Sequence, residues 1–584
     1  MKPPLWTRRH FAGMLAMPAL RALGQGVSTR NVTPAPRGKP SGLPFNAHFT
    51  DVASSAGLRA PVIVGSPGKK SWILETVGCG AAFIDYDHDG WMDIFVLSGT
   101  TLETDSGATN RLYKNNRDGT FTDVTEKAGL RRSGWASSVA VADYNNDGFD
   151  DLFVTYWGQN VLYRNNGNGT FTDVTKEAGL LQPGKHWGSG CTFIDYDRDG
   201  HLDLFVANYL ELDFSARAGS NDFCNWKGVP VMCGPRGLPP GRAFLYRNNG
   251  DGTFTDVSES SGVVKASGSY LMTSVAADFD DDGWPDIYVA CDSTPSFLLR
   301  NNHNGTFTDV GLEWGTALNE DGNEQAGMGL GIGDYNLDGR LDILKTHFSD
   351  DTSVLYRNTG KQSFDDVTVL SGLGVETRFV GWGAGIVDLD NDGNPDLFIA
   401  TGGVYPEVEA KLPQYPVKTP RVIFRNLGDG KFEELIETAG PAISAAHCSR
   451  GCAFGDFDND GDIDILIVNM SEPPSLLRND LTGNNHWLKV KLEGVKSNRG
   501  AIGARVTARY GGKVQAQEVL SQSSFYSAND SRLHFGLGTS EFADLEIRWP
   551  NGVVEKLPKV AVNRLIVVRE GSGIVTTDSF RKGQ

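Results

Sequence analysis

The sequence predicts an all-β protein: a closed ring of seven β-sheet repeats followed by a small β-sandwich-like domain. Three observations carry this prediction. The pattern D-x-[DN]-x-D-G-x-x-D occurs seven times, starting at Asp85, Asp143, Asp195, Asp278, Asp334, Asp388 and Asp456, at spacings of 58, 52, 83, 56, 54 and 68 residues. Short apolar stretches flank each loop, as in Gly190-Cys191-Thr192-Phe193-Ile194 before the third and Leu204-Phe205-Val206-Ala207 after it, so each loop joins two strands. A second element follows, such as Leu112-Tyr113-Lys114-Asn115-Asn116, then a glycine turn and Phe-Thr-Asp-Val, which reads as a β-hairpin.

The order of these pieces implies closure. A Phe-Thr-Asp-Val element stands at Phe49 to Val52, before any acidic loop, whereas the seventh loop is followed by Leu476-Leu477-Arg478-Asn479 with no such strand of its own. The first copy supplies the missing strand if the repeats close into a ring, which removes the exposed edges of an open array. Phe49 to Asn479 therefore reads as a seven-bladed β-propeller of about four strands per blade; an open solenoid gives no reason for the permutation.

The 584-residue chain carries Lys plus Arg 54 against Asp plus Glu 72, a formal net charge of −18, with 39% hydrophobic and 10% aromatic residues and 71 glycines. That composition supports a real core and excludes wholesale disorder. The acidic balance argues against a nucleic-acid backbone as partner. No run of about 20 apolar residues predicts a membrane span. Residues 1–24 contain Lys2, Arg8, Arg9 and Arg21 and no acid, with a weakly apolar stretch and small residues near Ala22. They read as an export signal, and Thr7-Arg8-Arg9-His10-Phe11 resembles the twin-arginine motif. Residues 25–46 read as a Pro- and Gly-rich linker, 47–482 as the ring, 483–571 as the second domain and 572–584 as a polar, mobile tail.

The acidic loops point to cation chemistry. In the first, Asp85, Asp87, Asp89 and Asp93 occupy positions 1, 3, 5 and 9, and Gly90 permits the sharp turn. The others repeat the plan: Asp143, Asn145, Asp147 and Asp151; Asp195, Asp197, Asp199 and Asp203; Asp278, Asp280, Asp282 and Asp286; Asp334, Asn336, Asp338 and Asp342; Asp388, Asp390, Asp392 and Asp396; Asp456, Asp458, Asp460 and Asp464. Clustered hard oxygens suit Ca²⁺, about seven ions in a structural role; Mg²⁺ is less suited to a flexible all-protein cage. These are not EF-hands, because position 12 holds Val96, Val154, Val206, Val289, Lys345, Ile399 and Ile467 instead of Glu. Removing the four positive charges of 1–24 takes −18 to −22, and seven dications would bring it to −8. Much of the acidity is thus loop chemistry, suited to an exported protein in a Ca²⁺-containing periplasmic or extracellular space.

These loops, with the Leu-Tyr-Arg-Asn-Asn and Phe-Thr-Asp-Val elements, resemble the FG-GAP/VCBS repeats. Beyond them, His486-Trp487-Leu488-Lys489-Val490, Ser497-Asn498-Arg499-Gly500-Ala501-Ile502-Gly503-Ala504, Leu533-His534-Phe535-Gly536-Leu537-Gly538 and Ile547-Arg548-Trp549-Pro550-Asn551-Gly552 resemble the ASPIC/UnbV domain. Together the chain is similar to a bacterial member of the cartilage acidic protein family. The resemblance implies binding to matrix or cell-surface partners. Read directly, His486 to Leu492, Ala504 to Tyr510 and Leu545 to Trp549 alternate as strands, with Gly511-Gly512 as a hairpin turn.

Two regions are candidates for a ligand. Residues 8–10 positions before each loop should lie near one mouth of the channel: Glu75, Trp135, His186 with Trp187, Tyr270, Glu324, Arg378 and His447. They read either as channel lining or as a site for a glycan or peptide, with acid–base catalysis by a Glu and a His as the alternative. The long third-to-fourth spacing holds an insertion, Asn221 to Arg242, in which Cys224 and Cys233 are expected to pair; a smaller one spans Val404 to Pro420. A Cys448–Cys452 bridge is a further candidate, while Cys79, Cys191 and Cys291 read as buried thiols. No nucleophile, P-loop or HExxH motif is present. Two functions follow: an exported binding or adhesion protein for an extracellular protein or glycan, or a secreted polysaccharide lyase or hydrolase with its site in the funnel.

Overall fold

A computed structural model describes residues 29–68, 70–102, 107–212, 214 and 224–578. The predicted export segment, 1–24, lies outside the described residues. Seven four-stranded antiparallel units follow one another. Unit 1 comprises Ala81–Ile84, Asp93–Val96, Arg111–Asn115 and Phe121–Asp123, and unit 2 comprises Trp135–Ala142, Asp151–Gly158, Val161–Asn165 and Phe171–Asp173. Unit 3 is His186–Ile194, Asp203–Asn208, Phe244–Asn248 and Phe254–Asp256, and unit 4 is Leu271–Ala277, Asp286–Cys291, Phe297–Asn301 and Phe307–Asp309. Unit 5 is Leu330–Gly333, Asp342–Lys345, Val354–Asn358 and Phe364–Asp366, and unit 6 is Gly381–Val387, Asp396–Thr401, Val422–Asn426 and Phe432–Glu434. Unit 7 is built from Ser449–Gly455, Asp464–Asn469 and Ser475–Asn479, and its outer strand is Phe49–Asp51, paired Phe49↔Asn479.

The first strand of each unit packs on the first strand of the next, and that of unit 7 packs on that of unit 1. These inner strands are mostly buried, and Leu271–Ala277 and Ser449–Gly455 wholly so, and they read as continuous small and apolar runs without alternation. Outer strands such as Phe-Thr-Asp bury only the Phe. The first Asn of each Asn-Asn or equivalent element links neighbours. Its Nδ2 donates to the carbonyl of the second loop residue of the preceding unit, at 2.7–2.9 Å: Asn115 to Phe457, Asn165 to Tyr86, Asn248 to Tyr144, Asn301 to Tyr196, Asn358 to Phe279, Asn426 to Tyr335 and Asn479 to Leu389. Asn248 also donates to Leu202 O at 3.0 Å and accepts from Gly250 N at 3.0 Å. Replacing it strands buried backbone groups, so Asn248→Ala is expected to cost about 1–3 kcal/mol in urea unfolding. A wild-type midpoint would show that water replaces the amide.

The second domain is a sandwich of two sheets. One contains Leu533–Gly538, His486–Glu493, Arg564–Arg569 and Gly573–Asp578; the other contains Lys513–Glu518, Arg505–Tyr510, Phe542–Arg548 and Val554–Ala561. His486–Glu493 and Arg564–Arg569 run parallel and the remaining pairs antiparallel. Gly511 and Gly512, with φ of 53° and 84°, make the tight turn that pairs Tyr510 with Lys513. The expected tail is corrected in part: Gly573–Asp578 is an edge strand on Arg564–Arg569, and its mostly exposed polar residues conceal that pairing. The expected linker is also more than a spacer. Val32 N bonds Asp350 O and Ala35 N bonds Gly374 O, each at 2.8 Å, and Arg37 pairs with Glu376 and Glu434.

Glu570 ties the sandwich together. Its Oε2 accepts the backbone N–H groups of Val495, Lys496 and Ser497 at 2.8, 2.7 and 3.0 Å. Burial alone would raise its pKa, but these three bonds outweigh it and hold the carboxyl below its ordinary value. A depressed carboxyl contributes stability above its unfolded pKa of about 4.3, and that contribution is lost as pH falls through the lower folded value. Glu570→Gln should therefore destabilise the domain by about 1–3 kcal/mol at neutral pH, with the gap to wild type closing below about pH 4. A gap independent of pH in urea titrations would refute the charge-based account.

Candidate functional site

Each acidic loop is a tight connection between the first and second strands of its unit. Its fourth residue adopts a left-handed conformation, from His88 at φ 57° to Asn459 at φ 55°, and its sixth is a glycine such as Gly90 at φ 83°. The position-1 carboxylate holds the turn: Asp85 accepts from Asp89 N at 2.9 Å and Gly90 N at 3.2 Å, and Asp456 accepts from Asp460 N at 3.1 Å and Gly461 N at 2.9 Å. The position-9 Asp ties the loop to the third strand. Asp93 accepts from Asn115 N at 2.7 Å and Tyr86 N at 3.3 Å, a pattern repeated by Asp151, Asp203, Asp286, Asp342, Asp396 and Asp464.

Carboxylate oxygens converge within 4.8 Å of one another in five loops: Asp85, Asp87 and Asp93; Asp195, Asp197 and Asp199; Asp278, Asp280 and Asp282; Asp388, Asp390 and Asp396; Asp456, Asp458 and Asp460. In the other two, the amides of Asn145 and Asn336 donate to Asp147 and Asp338 at 2.9 Å. Buried oxygens without a partner among the described residues sit at positions 1 and 3: Oδ1 of Asp87, Asp195, Asp197, Asp278, Asp280 and Asp458, and of Asn336. Burial and then the neighbouring carboxylates push Asp195 up to about 7 and Asp460 up to about 8. Orphaned oxygens beside crowded, desolvated acids fit a cation. Basic side chains already meet part of the charge: Lys114 pairs with Asp87, and Arg247 with Asp197 and Asp199 at 2.8 and 2.9 Å.

The second domain docks on this same face. Lys489 Nζ lies 2.5 Å from Asp456 Oδ2, with both side chains fully buried. Arg505 pairs with Asp281, and Arg548 with Asp278. Ala516 N donates to Asp334 Oδ2 at 3.0 Å, Arg499 N to Asn146 Oδ1 at 2.9 Å, and Lys513 Nζ to Gly393 O at 3.0 Å. From the docked domain, residues 521–528 enter the channel of the ring. Val141 N donates to Ser521 O, Val139 N to Tyr526 O and Phe83 N to Ala528 O, each at 3.1 Å, while Leu330 N donates to Ser524 O at 2.9 Å. Ser521 Oγ also accepts from Phe193 N at 2.8 Å, and Ser524 Oγ from Ala384 N at 3.0 Å. All eight residues of this plug are buried. Gly80 is required beneath it, because a Cβ there would lie 1.8 Å from Tyr526 O.

The expected funnel residues are held by separate local partners, and Arg378 lines a chamber at one channel mouth. Glu75, Trp135, His186, Trp187, Tyr270, Glu324, Arg378 and His447 do not form one lining. Trp135 and Trp187 are core residues, and the Glu75 carboxylate accepts from Ser71 N and Trp72 N at 2.8 and 3.1 Å. Tyr270 donates to Leu238 O at 3.1 Å, Glu324 pairs with Arg236 at 2.7 Å, and Arg378 pairs with Glu376 at 2.5 Å. His186 bonds Glu211 at 2.9 Å in unit 3, and His447 bonds Glu472 at 2.8 Å beside unit 7, so these His–Glu pairs do not converge. The channel mouth away from the loops is instead lined by residues including Tyr209, Met272, Phe348, Trp382 and Tyr405.

In the insertion, Cys224 and Cys233 form a disulfide, with Cα atoms 4.9 Å apart. It ties the hairpin of Cys224–Trp226 and Val229–Val231. Cys448 and Cys452 are free and buried, which corrects the expected bridge: four residues of extended chain hold them up to ~13 Å apart, beyond disulfide reach. Cys79, Cys191 and Cys291 are buried free thiols.

Ring, acidic loops and docked sandwich define a class of protein, an all-β repeat protein with candidate metal loops on one face. The FG-GAP-like repeat matches residues 85–154, 143–206, 236–289, 278–345, 334–399 and 419–467, and ASPIC and UnbV matches 494–575. The chain belongs to the FG-GAP-like repeat family and carries an ASPIC and UnbV domain. It is 25% identical over 507 residues to cartilage acidic protein 1 of Mus musculus, covering 81% of this chain and 70% of the relative. With cartilage acidic protein 1 of Homo sapiens it shares 25% identity over 380 residues, covering 62% of this chain and 50% of the relative. Among solved structures, BBS1N in complex with ARL6DN is similar at 12% identity and TM-score 0.41, covering 75% of this chain and 99% of that one. No helix among the described residues is long and apolar enough to cross a membrane.

Proposed function

We propose that this is an exported, calcium-stabilised interaction protein, periplasmic or extracellular, whose ring and docked sandwich present a rigid surface to a protein or glycan. The observation that carries the metal reading is the set of buried, partnerless oxygens at loop positions 1 and 3. Ca²⁺ suits such carboxylate and carbonyl cages better than Mg²⁺, which keeps its waters. The resident ion would neutralise the crowded acids, and the loop residues would hold it between the first and second strands. The similarity to cartilage acidic protein 1 supports an extracellular setting. The separated His–Glu pairs favour binding over acid–base catalysis.

Calorimetric titration of the chelator-treated protein with CaCl₂ tests the metal reading. Uptake of five to seven ions per chain, with Mg²⁺ much weaker, is expected; uptake of none overturns it. For the ligand, glycan and peptide arrays probed with the Ca²⁺-loaded protein should give retention without product. Turnover of an array glycan, lost in His186→Ala or His447→Ala, would replace binding with catalysis.

A further inference from the structure

At the channel mouth away from the acidic loops, a cavity lies beneath the disulfide-tied hairpin. It sits at the starts of first strands, near Met272 and Trp382, and beyond the ends of second strands, near Tyr209 and Asp292. The tip of the plug packs behind two of its lining residues: Phe525 meets Trp382 edge-on at 5.1 Å, and the Tyr526 hydroxyl contacts Met272 Sδ at 3.3 Å. The ring and the insertion therefore line one chamber, and the second domain packs against part of that lining.

The lining is aromatic and thioether-rich, with Met232 and Met328 adding adaptable bulk. One partly buried acid, Asp292, lines it. Asp292 Oδ2 accepts from the Tyr209 hydroxyl at 2.5 Å and its Oδ1 from Ser293 Oγ at 2.8 Å, so each oxygen keeps acceptor capacity. Arg236 also lines the chamber, but its guanidinium is held by Glu324 at 2.7 Å and Ser293 O at 3.0 Å. A side chamber shares Phe348 and Tyr405 with the first and is lined by Trp226, whose buried Nε1 has no partner among the described residues. A buried donor left unpaired is costly, so an acceptor on a ligand would relieve it.

We propose that this chamber binds a small organic cation: an apolar body enclosed by the rings and methionines, an ammonium group at Asp292, and an acceptor group toward Trp226. The site uses none of the acidic-loop residues and stands apart from the interaction surface proposed above. The ammonium would take the free lone pairs of Asp292, and the aromatic walls would favour it further through their negative faces.

The test compares 4-phenylbutylamine with 4-phenylbutyrate, its charge-reversed counterpart, by calorimetry on the Ca²⁺-loaded full chain. The amine should bind about tenfold or more tightly than the acid, and Asp292→Asn should remove that difference, as loss of a charged hydrogen bond implies. Should Asp292→Asn fail to fold, Val404→Phe, on the wall contributed by unit 6, should displace the amine while leaving the melting temperature near wild type. Equal affinity for amine and acid, no binding of the amine at millimolar concentration, or unchanged amine binding in a folded Val404→Phe protein overturns the proposal.

Discussion

Excess EDTA is expected to lower the melting temperature of the Ca²⁺-loaded protein by about 10 °C. Each independent site at 100 times its Kd contributes roughly 2.7 kcal/mol to the native state. Five convergent carboxylate clusters then contribute some 13 kcal/mol, and a melting entropy of about 2.1 cal/mol/K per residue converts this to ~10 °C for a chain of this length. The effect should reverse with added CaCl₂ and be weaker with MgCl₂. An unchanged melting temperature in EDTA would remove the structural role from the metal and leave the Lys and Arg partners of the loops as the sole neutralising charges.

Phe525→Ala should also be strongly destabilising, although Phe525 belongs to the second domain. Its ring is fully buried inside the first, stacked on Tyr526 at 4.0 Å and edge-on to Trp382 at 5.1 Å. Truncating a buried Phe costs about 3–5 kcal/mol through lost burial and the cavity left behind. Because the plug fills the channel, the ring and the sandwich should melt together in wild type and separate into two transitions in the variant. A loss below about 1 kcal/mol would mean that the channel tolerates an empty centre.

The ring was legible because its signals are local and repeated. Seven acidic loops, each with a glycine at position 6, punctuate the strands, and the displaced Phe49–Asp51 strand reveals the closure. The sandwich strands showed through alternation, as in Leu545 to Trp549. The role of the Asn in Leu-Tyr-Arg-Asn-Asn was missed, although it recurs in every repeat, because its partner is a carbonyl in the preceding unit. The side chains that line the chamber were missed for a related reason. Counting back a constant distance ignores the irregular register near the start of many first strands, as between Leu271 and Ser274 or Gly381 and Ala384. Nothing local in Ser521 to Ala528, a run of serines around Phe525 and Tyr526, says that it crosses into another domain. The docking role of Lys489, Arg505 and Arg548 was likewise not legible, since alternation identifies a face without naming what covers it.

The strand that completes unit 7 has a consequence for the time course of synthesis. His48 N bonds the side chain of Asn479, a contact across 431 positions, and Phe49 pairs with the same residue. Until the ribosome has passed Asn479, the N-terminal strand has no partner and the nascent ring keeps two open edges. Such distant pairings are slow, and bare edges invite association with other chains. Chaperone demand should therefore peak late in translation, and truncation just before Ser475 should yield aggregates where removal of a whole terminal blade from an open solenoid would be tolerated.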